Sequence, residues 1–195
     1  TYTTITNNHT QSWLTPTLTN ALISLNDYDL FTDGSWMETG SPWNHITHNS
    51  PTYKGTCGIV ALSRQPNWMD LPIITIHITN GDALNSISAY SMELFAILTA
   101  LSILSHMNNT CTIYSDCQSA VKKLNKLLKT SSALRASTPD SELLTAALMH
   151  LRTRGSLRWT KSHPERTQSD ETLWTKEMWG NHLADKAASG SLISK

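Results

Sequence analysis

The feature that most constrains this sequence is a change of apolar period near residue 89. Before it, three runs read as strands: Leu30 to Asp33, Thr56 to Ser63, and Ile73 to Thr79 with its alternating β-branched residues. After it, Ala89 to about Met107 repeats at helical spacing. Tyr90, Leu94, Ile97, Leu98, Leu101 and Leu104 form one stripe. Cys111 to Ser115 is a short strand. A helix follows with Ala120, Val121, Leu124, Leu127 and Leu128 on one face. Asp140 to Arg152 is another helix, Ser156 to Thr160 a last strand, and Lys176 to Ala188 a last helix. The order β-β-β-α-β-α-α-β-α predicts an α/β fold. Its five-stranded mixed sheet has three antiparallel strands and then two parallel ones, with helices on both faces and right-handed crossovers.

Residues 28–190 carry this pattern. Residues 1–27 read as an N-terminal extension or the tail of a preceding domain. Within them Thr15-Pro16 opens a short helix bearing Leu14, Leu18, Leu22 and Leu25. Residues 191–195 form a C-terminal tail. The first residue is Thr1 rather than Met, which suggests a piece of something longer.

Composition narrows the function classes. Apolar residues make up 39% and include seven Trp, enough for a real core, so the chain is not of a disordered type. No run approaches the ~18 apolar residues of a membrane span, and no signal-peptide pattern opens the chain. Three cysteines without a C-x-x-C spacing suit reduced thiols in the cytoplasm or nucleus better than a disulfide or zinc framework. Net charge is zero, so any grip on nucleic acid must come from a local patch. Residues 117–139 offer one: Lys122, Lys123, Lys126, Lys129 and Arg135, with no acidic residue. A solvated lysine-rich helix face explains them equally well.

Four carboxylates fall at telling places. Asp33 ends the first strand and runs into Gly34-Ser35, where open α/β sheets gather ligands; it also fits an ordinary Asp-Gly turn. Glu93 sits early in the long helix, at the edge of its apolar stripe. Such a carboxylate is either solvated or must be paired or on a metal. Asp116 repeats the strand-end position of Asp33, and helix N-capping is an alternative use. If their strands are adjacent and parallel, Asp33 and Asp116 emerge side by side and repel unless a cation neutralises them. Asp185 shares a helix face with Asn181, four residues before it, and on its own fits a surface aspartate paired with lysine. His163, in the loop after the last strand, is either a plain surface histidine or a proton shuttle beside the carboxylates. Carboxylates without a Cys or His cluster suit a hard cation, Mg²⁺ or Mn²⁺. Two such ions ~3.5–4 Å apart can straddle a phosphate.

Thr32-Asp33-Gly34-Ser35, Met92-Glu93-Leu94, Ser115-Asp116-Cys117-Gln118 and Asn181-x-x-Ala184-Asp185, in this order, resemble the ribonuclease H family. Ser88 to Leu94 and Gly180 to Asp185 are most similar to its retroelement and retroviral branch. The resemblance spans about residues 28–190 and implies the ribonuclease H-like fold. It implies endonucleolytic hydrolysis of the RNA strand of an RNA/DNA hybrid with two Mg²⁺ ions, Mn²⁺ substituting. It also implies a reverse transcriptase or polymerase domain in the same polyprotein, and no membrane. Carried over, Asp33 would bridge both ions, Asp116 would help hold the ion that activates water, and Glu93 and Asp185 would hold the other. His163 would assist proton transfer or product release. Gly34, Ser35, Trp36, Tyr90, Gln118 and Asn181 match substrate-contacting positions. The sequence departs from the family pattern in having Ala89, Tyr90 and Ser91 ahead of the Glu. Its segments Asp33–Gly58 and His163–Asp185 are also longer.

Other readings fare worse. A 3′–5′ exonuclease of the same superfold wants Asp-x-Glu on the first strand. An integrase wants a Glu about one helix beyond Asp116, and Asp140 and Glu142 do not match. Serine-hydrolase chemistry lacks its Gly-x-Ser-x-Gly. A connection-type domain that only binds hybrid or braces a polymerase is the remaining alternative, and it has no chemical use for four carboxylates.

Overall fold

The computed structural model describes residues 2–8, 28–39, 52–71, 73–80, 88–107, 111–130, 140–153 and 155–190. The predicted helix over residues 15–25 and the linkers around residues 45 and 135 lie outside them. Among the described residues six strands form one sheet: β1 (Tyr2–Asn8), β2 (Tyr28–Thr39), β3 (Thr52–Ser63), β4 (Ile73–Asn80), β5 (Thr112–Ser115) and β6 (Ser156–Trp159). Their spatial order is β1-β4-β3-β2-β5-β6. β2, β3 and β4 are antiparallel neighbours, while β5 and β6 add on in parallel. That is the expected five-stranded mixed sheet. The structure adds a sixth strand, β1, drawn from the stretch read as an extension and paired parallel to β4 from Tyr2↔Ile73 to Asn8↔Thr79.

Among the described residues four helices cover the sheet: α1 (Ala89–Met107), α2 (Gln118–Lys129), α3 (Ser141–Leu151) and α4 (Lys176–Ser189). Among the described residues no helix is long and apolar enough to cross a membrane. One face of the sheet packs on α1, α2 and α3 through Leu30, Ile59, Leu94, Ile97, Leu101, Ile113, Leu124 and Leu148. α1 is buried on more than its predicted stripe, because Met92, Ala96, Ala100 and Ile103 are also inside. It therefore lies between the sheet and α3 as a central helix. The other face packs on α4 through Phe31, Val60, Leu62, Leu183, Ala184 and Ala187. Phe31 is almost wholly buried and stacks on Tyr114 at 4.7 Å. Burial of that ring contributes about 1.5–3 kcal/mol.

Local chemistry sets the ends of α4. The Thr175 hydroxyl accepts from the Met178 amide at its start, and Gly190 takes a left-handed conformation (φ 76°) at its end. Two buried polar side chains then pin its last turn to the sheet. The Thr56 hydroxyl donates to the Ala188 carbonyl at 2.6 Å, and His77 Nδ1 lies 2.7 Å from the Ala187 carbonyl. A carbonyl only accepts, so the His77 proton sits on Nδ1.

The strand bearing Asp33 differs from the expectation. β2 does not stop at Asp33 but runs to Thr39, so Gly34, Ser35 and Trp36 are strand residues paired with Cys57, Thr56 and Gly55 rather than a turn. The long ladder to β3 overrides the local Asp-Gly turn signal. What stops near Asp33 is the neighbour on the other side. Parallel pairing of β2 with β5 ends at Thr32↔Ser115. Asp33 is thus the first residue past the parallel part of the sheet, which preserves the strand-end geometry by a different route.

Candidate active site

The site opens where β5 stops and β2 continues. Two close backbone approaches shape it. At Gly34 a Cβ would collide with the backbone of Met92 and Glu93, so the missing side chain lets the first turns of α1 rest on β2. At Gly58, the cross-strand partner of Asp33, a Cβ would collide with the backbone of Ala184 and Ala188, so α4 rests on β3 there. The first approach brings Glu93 to Asp33, and the second brings Asp185.

Ligand oxygens of Asp33, Glu93 and Asp116 all lie within 4.8 Å of one another. Asp33 is buried, 6% exposed, and the other two are half-buried. Burial is the largest force on each. It raises Asp33 well above the ordinary carboxylate range, and the charges of Asp116 and Asp185 raise it further, while a hydrogen bond with Glu93 works against them. Burial likewise raises Glu93, with Asp33, Asp116 and Cys117 adding to it and the Gly34 amide opposing. Asp116 is raised by burial, partly offset by the Asn181 carboxamide and by His163. Three carboxyls this close cannot all ionise unaided.

Among the described residues, two buried polar atoms have no hydrogen-bond partner: Oε2 of Glu93 and Nδ2 of Asn181. Both border the cluster. An unpaired carboxylate oxygen among like charges is what a cation site needs, and the all-oxygen donor set selects a hard divalent ion. The residues present therefore fit Mg²⁺ or Mn²⁺.

The remaining predicted residues divide clearly. Asp185 is exposed on α4 and acts on both Asp33 and Asp116, though it lies outside the tight trio. His163 is half-buried, and its charge reaches Asp116. Asn181 is buried, and its carboxamide approaches Asp116 without closing a hydrogen bond. Tyr90 is half-buried and packs against the core, facing Cys117 and Asp140. Gln118 is exposed at the first residue of α2, and Trp36 packs against the core from β2.

Sequence reasoning passed over several residues here. Trp159 donates its indole N–H to the Asp116 carbonyl at 3.1 Å and so braces the turn that carries this carboxylate. Ser91, read only as a departure from the family pattern, donates to Asp140 at 2.7 Å and ties the start of α1 to the start of α3. Trp174 is buried and donates Nε1–H to the Gln168 carbonyl at 2.8 Å, folding the long loop after His163 onto α4. These are contacts between distant segments, and the one signal in the sequence is three tryptophans (Trp159, Trp174, Trp179) in an otherwise polar stretch.

This is a mixed-sheet α/β domain with an acidic centre suited to a hard cation. The RNase H family model matches residues 26–192, and the chain belongs to that family. Solved structures with the same fold include the prototype foamy virus protease–reverse transcriptase, at 17% identity and TM-score 0.62 over 87% of this chain and 21% of that one. The PFV RNase H domain in solution is 18% identical with TM-score 0.61, over 84% and 93% of the two chains. A foamy viral protease–reverse transcriptase in complex with RNA/DNA hybrid is 16% identical with TM-score 0.57, over 95% and 22%. The chain thus spans about a fifth of the length of the protease–reverse transcriptase it resembles. No curated protein matches the sequence significantly.

Proposed function

We propose that the chain hydrolyses the RNA strand of RNA/DNA hybrids endonucleolytically, with Asp33, Glu93, Asp116 and Asp185 holding a pair of Mg²⁺ ions that Mn²⁺ can replace. The observation that carries this reading is the convergence of Asp33, Glu93 and Asp116 oxygens within 4.8 Å, with Glu93 Oε2 unpartnered. Membership of the RNase H family supplies the substrate class. Bound there, the ions would supply the charge that activates water and stabilises the leaving oxygen.

The chain's own groups do the rest. Asp33 and Glu93 would be held ionised beside a bound cation, whose charge would offset the burial and mutual repulsion that oppose their ionisation. Trp159 holds the Asp116 backbone, and the Gly34 amide holds the Glu93 carboxyl. Asn181 Nδ2 is an unused donor on the rim that could meet a phosphate oxygen. Gln118 and Tyr90 flank the strand to be cut, and the backbone of Gly34, Ser35 and Trp36 lies beneath it. His163 carries a proton to or from the reacting phosphate. The zero net charge implies weak, salt-sensitive binding by this chain alone, with a reverse transcriptase of the same polyprotein supplying grip.

The test is cleavage of an end-labelled RNA/DNA hybrid in Mg²⁺ and then Mn²⁺, beside single-stranded RNA, duplex RNA and duplex DNA. Hybrid-only cutting that vanishes in Asp116→Asn is the expected result. A folded protein that cuts nothing, with or without an added polymerase domain, would leave the bracing-domain reading in its place.

A further inference from the structure

The turn carrying His163 holds a chain of contacts that the reaction above does not use. His163 has φ 52°, in the left-handed region, and is followed by the buried Pro164. The Arg166 amide donates to the His163 carbonyl at 3.0 Å, closing a short 3₁₀ turn over Pro164–Arg166. The backbone is fixed by these features. The ring is not, since its side chain is 41% exposed. An exposed imidazole samples several rotamers and both neutral tautomers unless something holds it.

Glu165 is that restraint. Its Oε1 lies 3.1 Å from His163 Nδ1. Its other oxygen faces Nδ1 of His182 on α4 at 3.9 Å. The His182 ring is wedged edge-on between Trp174, at 4.9 Å and 68°, and Trp179, at 6.1 Å and 84°. Trp174 in turn is anchored to the loop through Gln168. Slight burial works to raise the Glu165 carboxyl. Its own amide, the His163 hydrogen bond and the two imidazoles outweigh that and hold it below the ordinary range. It is therefore an ionised acceptor set between two rings.

We propose that Glu165 is a positioning residue for His163. It accepts from Nδ1–H, fixes the ring in that tautomer, and leaves Nε2 as the nitrogen that exchanges a proton with substrate; His182 and the two tryptophans hold Glu165 from the α4 side. This deepens the ribonuclease reading and rests on it. The physical logic is that of any carboxylate behind an imidazole: it selects the tautomer, aims the ring and stabilises the imidazolium once the proton is taken up. The charge of His163 already acts on Asp116, so the proton carrier stands at the edge of the acidic centre.

The experiment is long-range ¹H–¹⁵N correlation NMR on the full 195-residue chain labelled at histidine, at a pH where the rings are neutral, beside steady-state hybrid cleavage. In the wild type His163 should be in the Nδ1–H form. Glu165→Ala should release it toward the Nε2–H form, whereas Glu165→Gln, whose amide carbonyl still accepts, should keep it. In cleavage, Glu165→Ala should lower kcat about tenfold at unchanged KM, a fraction of the range general acid–base catalysis supplies. Glu165→Gln should recover most of that loss. A wild-type ring in the Nε2–H form, or a Glu165→Ala variant with tautomer and kcat unchanged, overturns the proposal. If the wild type cuts no hybrid, the ribonuclease reading falls, while the tautomer response still decides whether Glu165 positions His163.

Discussion

Two aspartates four residues apart on β2 are treated in opposite ways. Asp29, at the start of the strand, is nearly buried and fully answered. Arg64 Nε lies 2.9 Å from one of its oxygens and Lys176 Nζ 3.3 Å from the other, and the Thr112 amide donates at 3.3 Å. It ties the end of β3, the start of β5 and the start of α4 together. Asp33 is more deeply buried and meets Glu93, Asp116 and Asp185, all of its own sign. The fold can build a satisfied carboxylate, and it does so 4 residues away on the same strand. The other is set among like charges, and the charges that act on it oppose its ionisation. Fold stability accounts for Asp29, whereas the crowding of like charges at Asp33 suits a cation site.

The sharpest way to break this contrast is Asp33→Asn. Removing the central ligand should lower hybrid cleavage by about 10³-fold or more, the scale of several kcal/mol of metal-borne charge stabilisation. The heat of Mg²⁺ binding in calorimetry should vanish with it. Circular dichroism should stay native, since the amide fills the same space and removes a repulsive charge. Mg²⁺ heat unchanged from the wild type would move the cation site away from β2.

Asp29→Ala should do the reverse. It takes one partner from each of Arg64, Lys176 and the Thr112 amide. Loss of one partner of a fully buried pair costs about 3–5 kcal/mol, and the half-exposed Arg64 brings the expected loss here to about 2 kcal/mol in urea unfolding. Cleavage per folded molecule should hold. Loss of cleavage at unchanged stability would mean that Asp29 belongs to the reaction, and the contrast between the two ends of β2 would collapse.

The two ends also differ in how far the sequence discloses them. Periodicity locates α1 within Ala89–Met107 and places Glu93 and Asp185 on their helices, because amphipathic spacing is a local property. The length of β2 was hidden. Asp33-Gly34-Ser35 has turn chemistry, and only the ladder with Gly58, Cys57 and Thr56 makes it strand; Gly34 serves the approach of α1, not a turn. β1 was hidden because its partner β4 begins about seventy residues later, and nothing within Tyr2–Asn8 announces a parallel neighbour. The same holds for Asp29: Arg64 and Lys176 reach it across 35 and 147 residues of sequence. The loop from Lys161 to Thr175 read as merely polar, yet Trp174 folds it against α4 and sets Glu165 beside His163.

The smallest expected effect is also the most diagnostic of what the acidic centre costs. In the folded protein Asp33, Glu93 and Asp116 all titrate above their ordinary values, chiefly through burial. The folded chain therefore holds more protons than the unfolded one once pH exceeds about 4, where unfolded carboxyls ionise. Stability carried by these groups is complete below that point and is lost as pH climbs toward the raised values, at a rate of up to about 1.4 kcal/mol per pH unit for each proton retained. With chelator present, Tm should accordingly fall from pH 5 to pH 8. Mg²⁺ should flatten the curve from its alkaline end, since the cation stabilises the ionised centre and binds it more tightly as protons leave. Glu93→Gln should flatten the chelated curve without any metal, because its amide has no proton to lose. A chelated wild type whose Tm rises over that range would show that the centre at Asp33 is answered by the protein itself.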